Sequence, residues 1–159
     1  MNDGFENWDE YFMAMARLVA KKSKDGSVKV GVVIVGPDHE VRSTGYNGFA
    51  RGIDESDPER WQRPDAEHPD GPKYQWVEHA ERNSIYNAAR VGIPTNGCLM
   101  YLESPPCTDC GRAIIQAGIK EIVVTTQNPF KDRKDWRKSI QFATDMLEEA
   151  GVKVTWTDL

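Results

Sequence analysis

Two short clusters in this chain carry the residue types of a metal-assisted hydrolytic site: His79-Ala80-Glu81 and, further on, Pro106-Cys107-Thr108-Asp109-Cys110. Cysteines three positions apart in a first helical turn point the same way, and a histidine from a neighbouring helix start completes three corners of a tetrahedron. Three protein ligands leave the fourth corner to water, which is the open arrangement of a catalytic zinc centre. A helix N-terminus favours thiolate over thiol and so helps cysteine bind metal at neutral pH. Glu81, two residues past His79, would stand beside the metal without ligating it, placed to take a proton from the bound water and return it to a leaving group. A lone C-x-x-C pair also reads as a redox dithiol, but a thioredoxin-like reading leaves the His-x-Glu cluster without a task. Cys98 has no partner at metal-ligand spacing and reads as a small core residue. His39, in a turn, and His68, in a polar loop, read as solvent-exposed.

The elements that must bring the two clusters together are written in the periodicity. Trp8, Tyr11, Phe12, Met15, Leu18 and Val19 recur at helical spacing, with Asn7 and Glu10 placed to cap that helix. Val28 to Val35 is a short, β-branched, nearly continuous apolar run, and Gly36-Pro37-Asp38 turns it into a second extended run over about 40–46, which makes a hairpin. From Asn47 to Gln75 there is no periodicity and four prolines occur, so a long irregular loop is expected, of the kind that usually has a function. Helices over 79–90, 107–117 and about 136–149 then alternate with strands over 98–102, 121–126 and 152–156. Gly92, Gly118 and Gly151 sit where the helices should stop. This alternation predicts parallel pairing with right-handed crossovers, and hence a single domain over residues 1–159, a three-layer α/β/α sandwich on a five-stranded mixed sheet. The 24 residues between Glu81 and Pro106 suffice for a helix, a turn and a strand, which brings both helix starts to one sheet edge.

Composition excludes several other classes. A net charge of −5 without a cluster of five or more Lys/Arg gives no pull toward a long polyanion, so no long nucleic acid is expected as partner. No apolar run reaches eighteen residues and the first ten residues are polar and acidic, so neither a membrane span nor a secretory signal is expected. Three cysteines are too few for a disulfide framework, which suits a reducing cytoplasm.

The H-x-E and P-C-x-x-C arrangement resembles that of zinc-dependent nucleobase deaminases. Over nearly its whole length the chain is similar to deoxycytidylate (dCMP) deaminases of the bacterial and phage type: residues 30–35 (Val-Gly-Val-Val-Ile-Val), 43–48 (Ser-Thr-Gly-Tyr-Asn-Gly), 79–85 (His-Ala-Glu-Arg-Asn-Ser-Ile), and Ala113 to Lys120 carry the likeness. The resemblance implies zinc on His79, Cys107 and Cys110, one ion per chain, with Glu81 as the acid/base in hydrolysis of dCMP to dUMP and ammonia. It implies that Asn47 holds the substrate's sugar and base, and that the segment at Gly48 and Arg51 leads into a site for nucleotide effectors, dCTP and dTTP with Mg2+, in a homohexamer. The segment Ser23 to Lys29 resembles the family's phosphate-side loop and nominates Ser23 and Lys29 for the substrate phosphate. Arg51, Arg60, Arg63 and Lys73 with Trp61 form a mixture able to stack on a base and hold a triphosphate. Trp136 and the exposed face of the His79 helix are candidates for subunit contact. Ala50 stands where the family usually has Pro. Cytidine, dCTP, 5-modified dCMP and guanine remain open as substrates, as does a non-catalytic nucleotide sensor. Retention of Glu81, which zinc itself does not need, speaks against the sensor.

Overall fold

The computed structural model describes residues 4–66, 71–127 and 136–159, so His68 lies outside the described residues. Helix α1 (Trp8–Ala20) is capped by Asn7, whose side chain accepts from the Glu10 amide at 2.9 Å. A hairpin of β1 (Gly31–Val35) and β2 (Val41–Tyr46) follows, then a minimal strand β3 (Gly48–Phe49). After a 3-10 turn at Pro58–Trp61 come the four-residue helix α2 (Lys73–Trp76), strand β4 (Val77–Glu78) and helix α3 (Ala80–Val91). The chain ends with β5 (Leu99–Leu102), α4 (Thr108–Gln116), β6 (Glu121–Thr125), α5 (Arg137–Glu149) and β7 (Lys153–Thr157). Gly92, Gly118 and Gly151 all take positive φ, near 74°, at or just after the helix ends, as expected.

The sheet runs β2-β1-β5-β6-β7. β1 is antiparallel to both β2 and β5, whereas β5, β6 and β7 are mutually parallel. Alternation along the strands sorts the core into two layers. Val32, Ile34, Met100, Leu102, Ile122 and Val124 pack with residues of α3, α4 and α5, while Val33, Val35, Tyr101 and Val123 pack with α1. Both crossovers, through α4 and through α5, therefore lie on one face, and α1 covers the other.

Two local expectations are corrected. The strand begins at Gly31 and not at Val28, because the backbone just before it is bonded to Asn47: the Val30 amide donates to Asn47 Oδ1 and the Val28 carbonyl accepts from Asn47 Nδ2. The buried face of α1 is Phe12, Met13, Ala16 and Ala20, whereas Trp8, Tyr11 and Leu18 are exposed. The helix lies so close to β1 that a Cβ on Gly31 would collide with the Ala16 carbonyl and the Ala20 backbone, so the close approach at residues 16 and 20 requires glycine at 31.

Candidate active site

The two helix starts meet as the sequence implies, but the ligand residues sit one position earlier than expected. His79 is the N-cap of α3 and Cys107 the N-cap of α4, both with extended backbone, and neither side chain caps its helix. Both are therefore free to turn toward a shared point. Pro105 and Pro106 keep the link from β5 extended and deliver Cys107 in that conformation. The α4 start is capped instead by α5: the Thr108 amide donates to Ser139 Oγ at 2.9 Å, and the Thr108 hydroxyl donates to the Ser139 carbonyl at 3.0 Å. On the other side, α3 is bonded onto β2. Asn83 Nδ2 donates to the Tyr46 carbonyl, Asn87 Nδ2 to the Thr44 carbonyl, and Ser43 Oγ to the Ser84 carbonyl.

His79 Nδ1 lies 3.5 Å from each of the Cys107 and Cys110 sulfurs. Tetrahedral zinc with ordinary Zn–N and Zn–S bonds requires about 3.6 Å between such donors. The three donor atoms lie within 4.8 Å of one another and form one group of metal-ligand type among the described residues. The donor set fits zinc without rearrangement. Cys107 is pulled down to about 3, first by the hydrogen bond from Cys110 and, against burial, by His79. Cys110 is pushed well above its ordinary value as the donor in that bond, by burial and by the facing Glu81 and Cys107 charges. The opposite shifts reflect the hydrogen bond between the two sulfurs, and metal binding requires both as thiolates. Burial would lower the His79 pKa, but the Cys107 hydrogen bond and the Glu81 and Cys107 charges raise it overall. Glu81 is 6% exposed as a residue, and burial is the main cause that raises its pKa above the usual glutamate value.

His79, Glu81 and Cys107 line a cavity together with Asp25, Val28, Asn47, Arg63, Lys73 and Trp136, and Cys110 completes the donor group behind that wall. The Trp136 ring stands 5.5 Å from the His79 ring and 6.0 Å from Tyr74, so it belongs to this wall. Asn47 is on the wall as the sequence implies, and its amide is almost fully engaged. Nδ2 donates to Asp25 Oδ2 at 3.1 Å and to the Val28 carbonyl at 2.9 Å, while Oδ1 accepts from the Val30 amide at 2.8 Å. What it retains is acceptor capacity on Oδ1. Ser23 and Lys29 do not reach the cavity. The buried Ser23 hydroxyl donates to the Asn47 carbonyl at 2.7 Å, and Lys29 Nζ donates to the Ser23 carbonyl at 2.6 Å.

Two wall residues, Asp25 and Lys73, were not singled out together by the sequence. Lys73 Nζ pairs with Asp25 Oδ2 at 2.5 Å and donates to Ser27 Oγ at 2.9 Å, with both charged side chains under 5% exposed. A burial this complete for two charges is invisible in a polar Ser-Lys-Asp-Gly-Ser run. Arg51 lies by a second groove instead, where it donates to Asn87 Oδ1 and Arg90 shares the wall; Gly48, in β3, is not part of that wall, though its neighbour Phe49 is. Trp61 has no free face toward a nucleotide base on its Phe49 side, since the two rings stack at 4.3 Å.

A His and two Cys donors at neighbouring helix starts, with a buried carboxyl beside them on an α/β/α sandwich, define a zinc-hydrolase type of centre. Residues 6–126 match the profile described as "Cytidine and deoxycytidylate deaminase zinc-binding region". The chain belongs to that family. A mouse deoxycytidylate deaminase is 43% identical over 121 residues, covering 76% of this chain and 66% of the mouse protein, so the matched stretch spans about two thirds of that relative. An uncharacterized deaminase of Aliivibrio fischeri is 36% identical over 154 residues, covering 96% of this chain and 95% of its own length. The crystal structure of dCMP deaminase from the cyanophage S-TIM5, in complex with dCMP and dUMP, shares the fold with a TM-score of 0.70 at 22% identity, covering 97% and 99% of the two chains.

Proposed function

We propose that the chain hydrolyses dCMP to dUMP and ammonia, a reading carried by one observation: the buried Glu81 lines a cavity together with His79 and Cys107, two of the three grouped donors. Zinc held by His79 Nδ1, Cys107 Sγ and Cys110 Sγ supplies Lewis acidity that makes water a competent nucleophile near neutral pH. Glu81 moves the protons. Its raised pKa lets it accept one proton from the attacking water and pass it to the ring nitrogen as the C4–O bond forms, then carry the second, from the new C4 hydroxyl, to the amine as the C4–N bond breaks and ammonia leaves. Trp136 and Val28 exclude water from the cavity walls. Asn47 receives a sugar hydroxyl through Oδ1, and Ser23 and Lys29 serve the substrate by fixing Asn47 from behind. The mouse relative's name and the ligands of the cyanophage structure support dCMP as substrate. The test is ammonia release by zinc-loaded protein from dCMP, CMP, dCTP, deoxycytidine and 5-methyl-dCMP. A clear preference for a substrate other than dCMP defeats the reading.

The regulatory reading belongs to the same proposal. Arg51 and Arg90, both in the wall of the second groove, offer cations for a nucleotide triphosphate with Mg2+, and Gly48 belongs to the strand that leads into it. A homohexamer activated by dCTP and inhibited by dTTP would shift its dCMP saturation curve with either effector. Sedimentation as a monomer, or curves unmoved by both triphosphates, defeats this part alone. The thiolate ligands suit a reducing cytoplasm, and among the described residues no helix is long and apolar enough to cross a membrane.

A further inference from the structure

Asp25 stands in a polar Ser-Lys-Asp-Gly-Ser run, where an aspartate ordinarily closes a local turn, and one of its oxygens does that. Oδ1 accepts from the Ser27 amide at 2.9 Å, the Ser27 hydroxyl at 2.8 Å and the Val28 amide at 3.2 Å. Such a turn needs one acceptor oxygen and no charge, so an exposed asparagine would serve it. Asp25 is instead 2% exposed, and a buried carboxylate is costly unless its oxygens are well used. The second oxygen reaches out of the turn: Oδ2 accepts from Asn47 Nδ2 at 3.1 Å and pairs with Lys73 Nζ at 2.5 Å. Only a carboxylate can take donors on both oxygens in this way, because an amide presents N–H groups on one side. Two further ties run from the turn to Asn47. The Ser23 hydroxyl accepts from the Asp25 amide at 3.2 Å and donates to the Asn47 carbonyl at 2.7 Å. Val28, whose amide Oδ1 holds, offers its own carbonyl to Asn47 Nδ2 at 2.9 Å. Both hydrogens of the Asn47 amide therefore end on Asp25 or on a backbone group that Asp25 holds.

We infer that Asp25 is a positioning residue that acts through Asn47: its carboxylate fixes the amide so that Oδ1 is the atom left for substrate, and it thereby sets recognition of the sugar's 3′-hydroxyl. This rests on the reading that Asn47 receives a sugar hydroxyl. The deoxyribose of dCMP carries one free hydroxyl, at C3′, since C2′ has none and the 5′ oxygen is esterified. A hydroxyl has a single hydrogen to donate and needs an acceptor for it, which an Asn47 with both N–H groups consumed supplies. Without the Asp25 carboxylate the amide is held by backbone groups of Val28 and Val30 alone, the first of them no longer fixed by the turn. The terminal torsion of asparagine is soft, so the amide would then rotate and present donor and acceptor alike. Asp25 also serves Lys73 as a counter-ion. The two roles differ in what they predict for a substrate that lacks the hydroxyl.

The test is the ratio of kcat/KM for dCMP to that for 2′,3′-dideoxycytidine monophosphate, measured in the zinc-loaded wild type, Asp25→Asn, Asp25→Glu, Asn47→Ala and Asp25→Asn with Asn47→Ala. The wild type should favour dCMP by about 10-fold, the worth of one good hydrogen bond. In each single variant the ratio should fall to within about 2-fold of unity, and the double variant should lower it no further than Asn47→Ala does. Circular dichroism and zinc content establish that each variant is folded and loaded. Should Asp25→Asn fail to fold, Asp25→Glu decides, since it keeps the charge beside Lys73 and displaces the carboxylate by one methylene. A residue that served only as the Lys73 counter-ion would lower kcat/KM for both substrates equally; a wild-type ratio preserved in the Asp25 variants therefore overturns the inference alone. A wild-type ratio of one overturns the Asn47 reading and the inference with it. If the wild type deaminates a different base, the same ratio is taken on that base's 2′-deoxy and 2′,3′-dideoxy nucleotides, so the dCMP reading falls separately from the role of Asp25.

Discussion

Gly45→Ala tests whether the packing of α3 on β2 is what sets the metal geometry. A Cβ at residue 45 would stand 2.8 Å from Ser84 Cα and closer still to the Ala80 carbonyl and the Ser84 amide. The nearest of these, the Ser84 amide nitrogen, would stand at 2.3 Å and ordinary contact begins at 3.4 Å, so the helix must retreat by about 1.1 Å. His79 is the N-cap of that helix, and the same shift would stretch its Nδ1–sulfur distances from 3.5 Å to as much as about 4.6 Å. Zinc sites tolerate about 0.2 Å in their bonds, so affinity should fall by about 10- to 100-fold, in line with losses from displaced supporting groups. Overpacking itself should cost about 1–3 kcal/mol, or about 2–12 °C in Tm for a chain of this length. The assay is zinc titration with a competing chelator, combined with thermal unfolding in excess chelator, which separates packing from metal. Gly26→Ala is the control: nothing lies within 4 Å of its added Cβ, and it should change neither quantity appreciably. If Gly45→Ala kept wild-type zinc affinity and Tm, the close helix–strand approach would not be what positions His79.

Glu81→Gln should lower kcat by at least about 100-fold while metal analysis still finds one zinc per chain, since the amide cannot shuttle protons but the donors remain. Cys107→Ala should lose the metal, and its unfolding midpoint should no longer respond to added zinc. Ser139→Ala should cost about 1 kcal/mol in urea unfolding by uncapping α4, and should weaken zinc binding by loosening the helix that carries Cys110. Asp25 has its pKa lowered: burial opposes ionisation, but the Lys73, Ser27 and Val28 hydrogen bonds outweigh it. Its stabilisation is therefore present above the ordinary carboxylate range and is lost as pH falls through the lower folded value. Urea midpoints from pH 7 to pH 3 should show this loss, and Asp25→Asn should flatten that part of the profile.

The grouping of His79, Cys107 and Cys110 was legible because metal-binding chemistry demands particular residue types at short spacing, and the strand–helix alternation was legible because it alone accounts for the three parallel strands. Other features depend on contacts that no local pattern records. The buried face of α1 is chosen by how closely Gly31 lets the helix approach, so Ala16 and Ala20 are buried while the more hydrophobic Leu18 is exposed. Lys29 and Lys73 look alike in sequence, yet one braces a carbonyl behind Asn47 and the other is an ion-paired cavity wall. The segment expected to be irregular over 47–75 contains β3 and α2, which are too short to show periodicity and owe their conformation to pairing with β4 and to ring stacking.

The helices that deliver the donors are each fastened by bonds that involve no metal: α3 to β2 through Asn83, Asn87 and Ser43, and α4 to α5 through Ser139. Acquisition of zinc is then an encounter between an ion and a finished receptor, with no nucleation of chain structure on the ion. A receptor shaped in advance also has little means of rejecting another tetrahedral ion of similar radius, so which metal it carries would follow what the cell makes available.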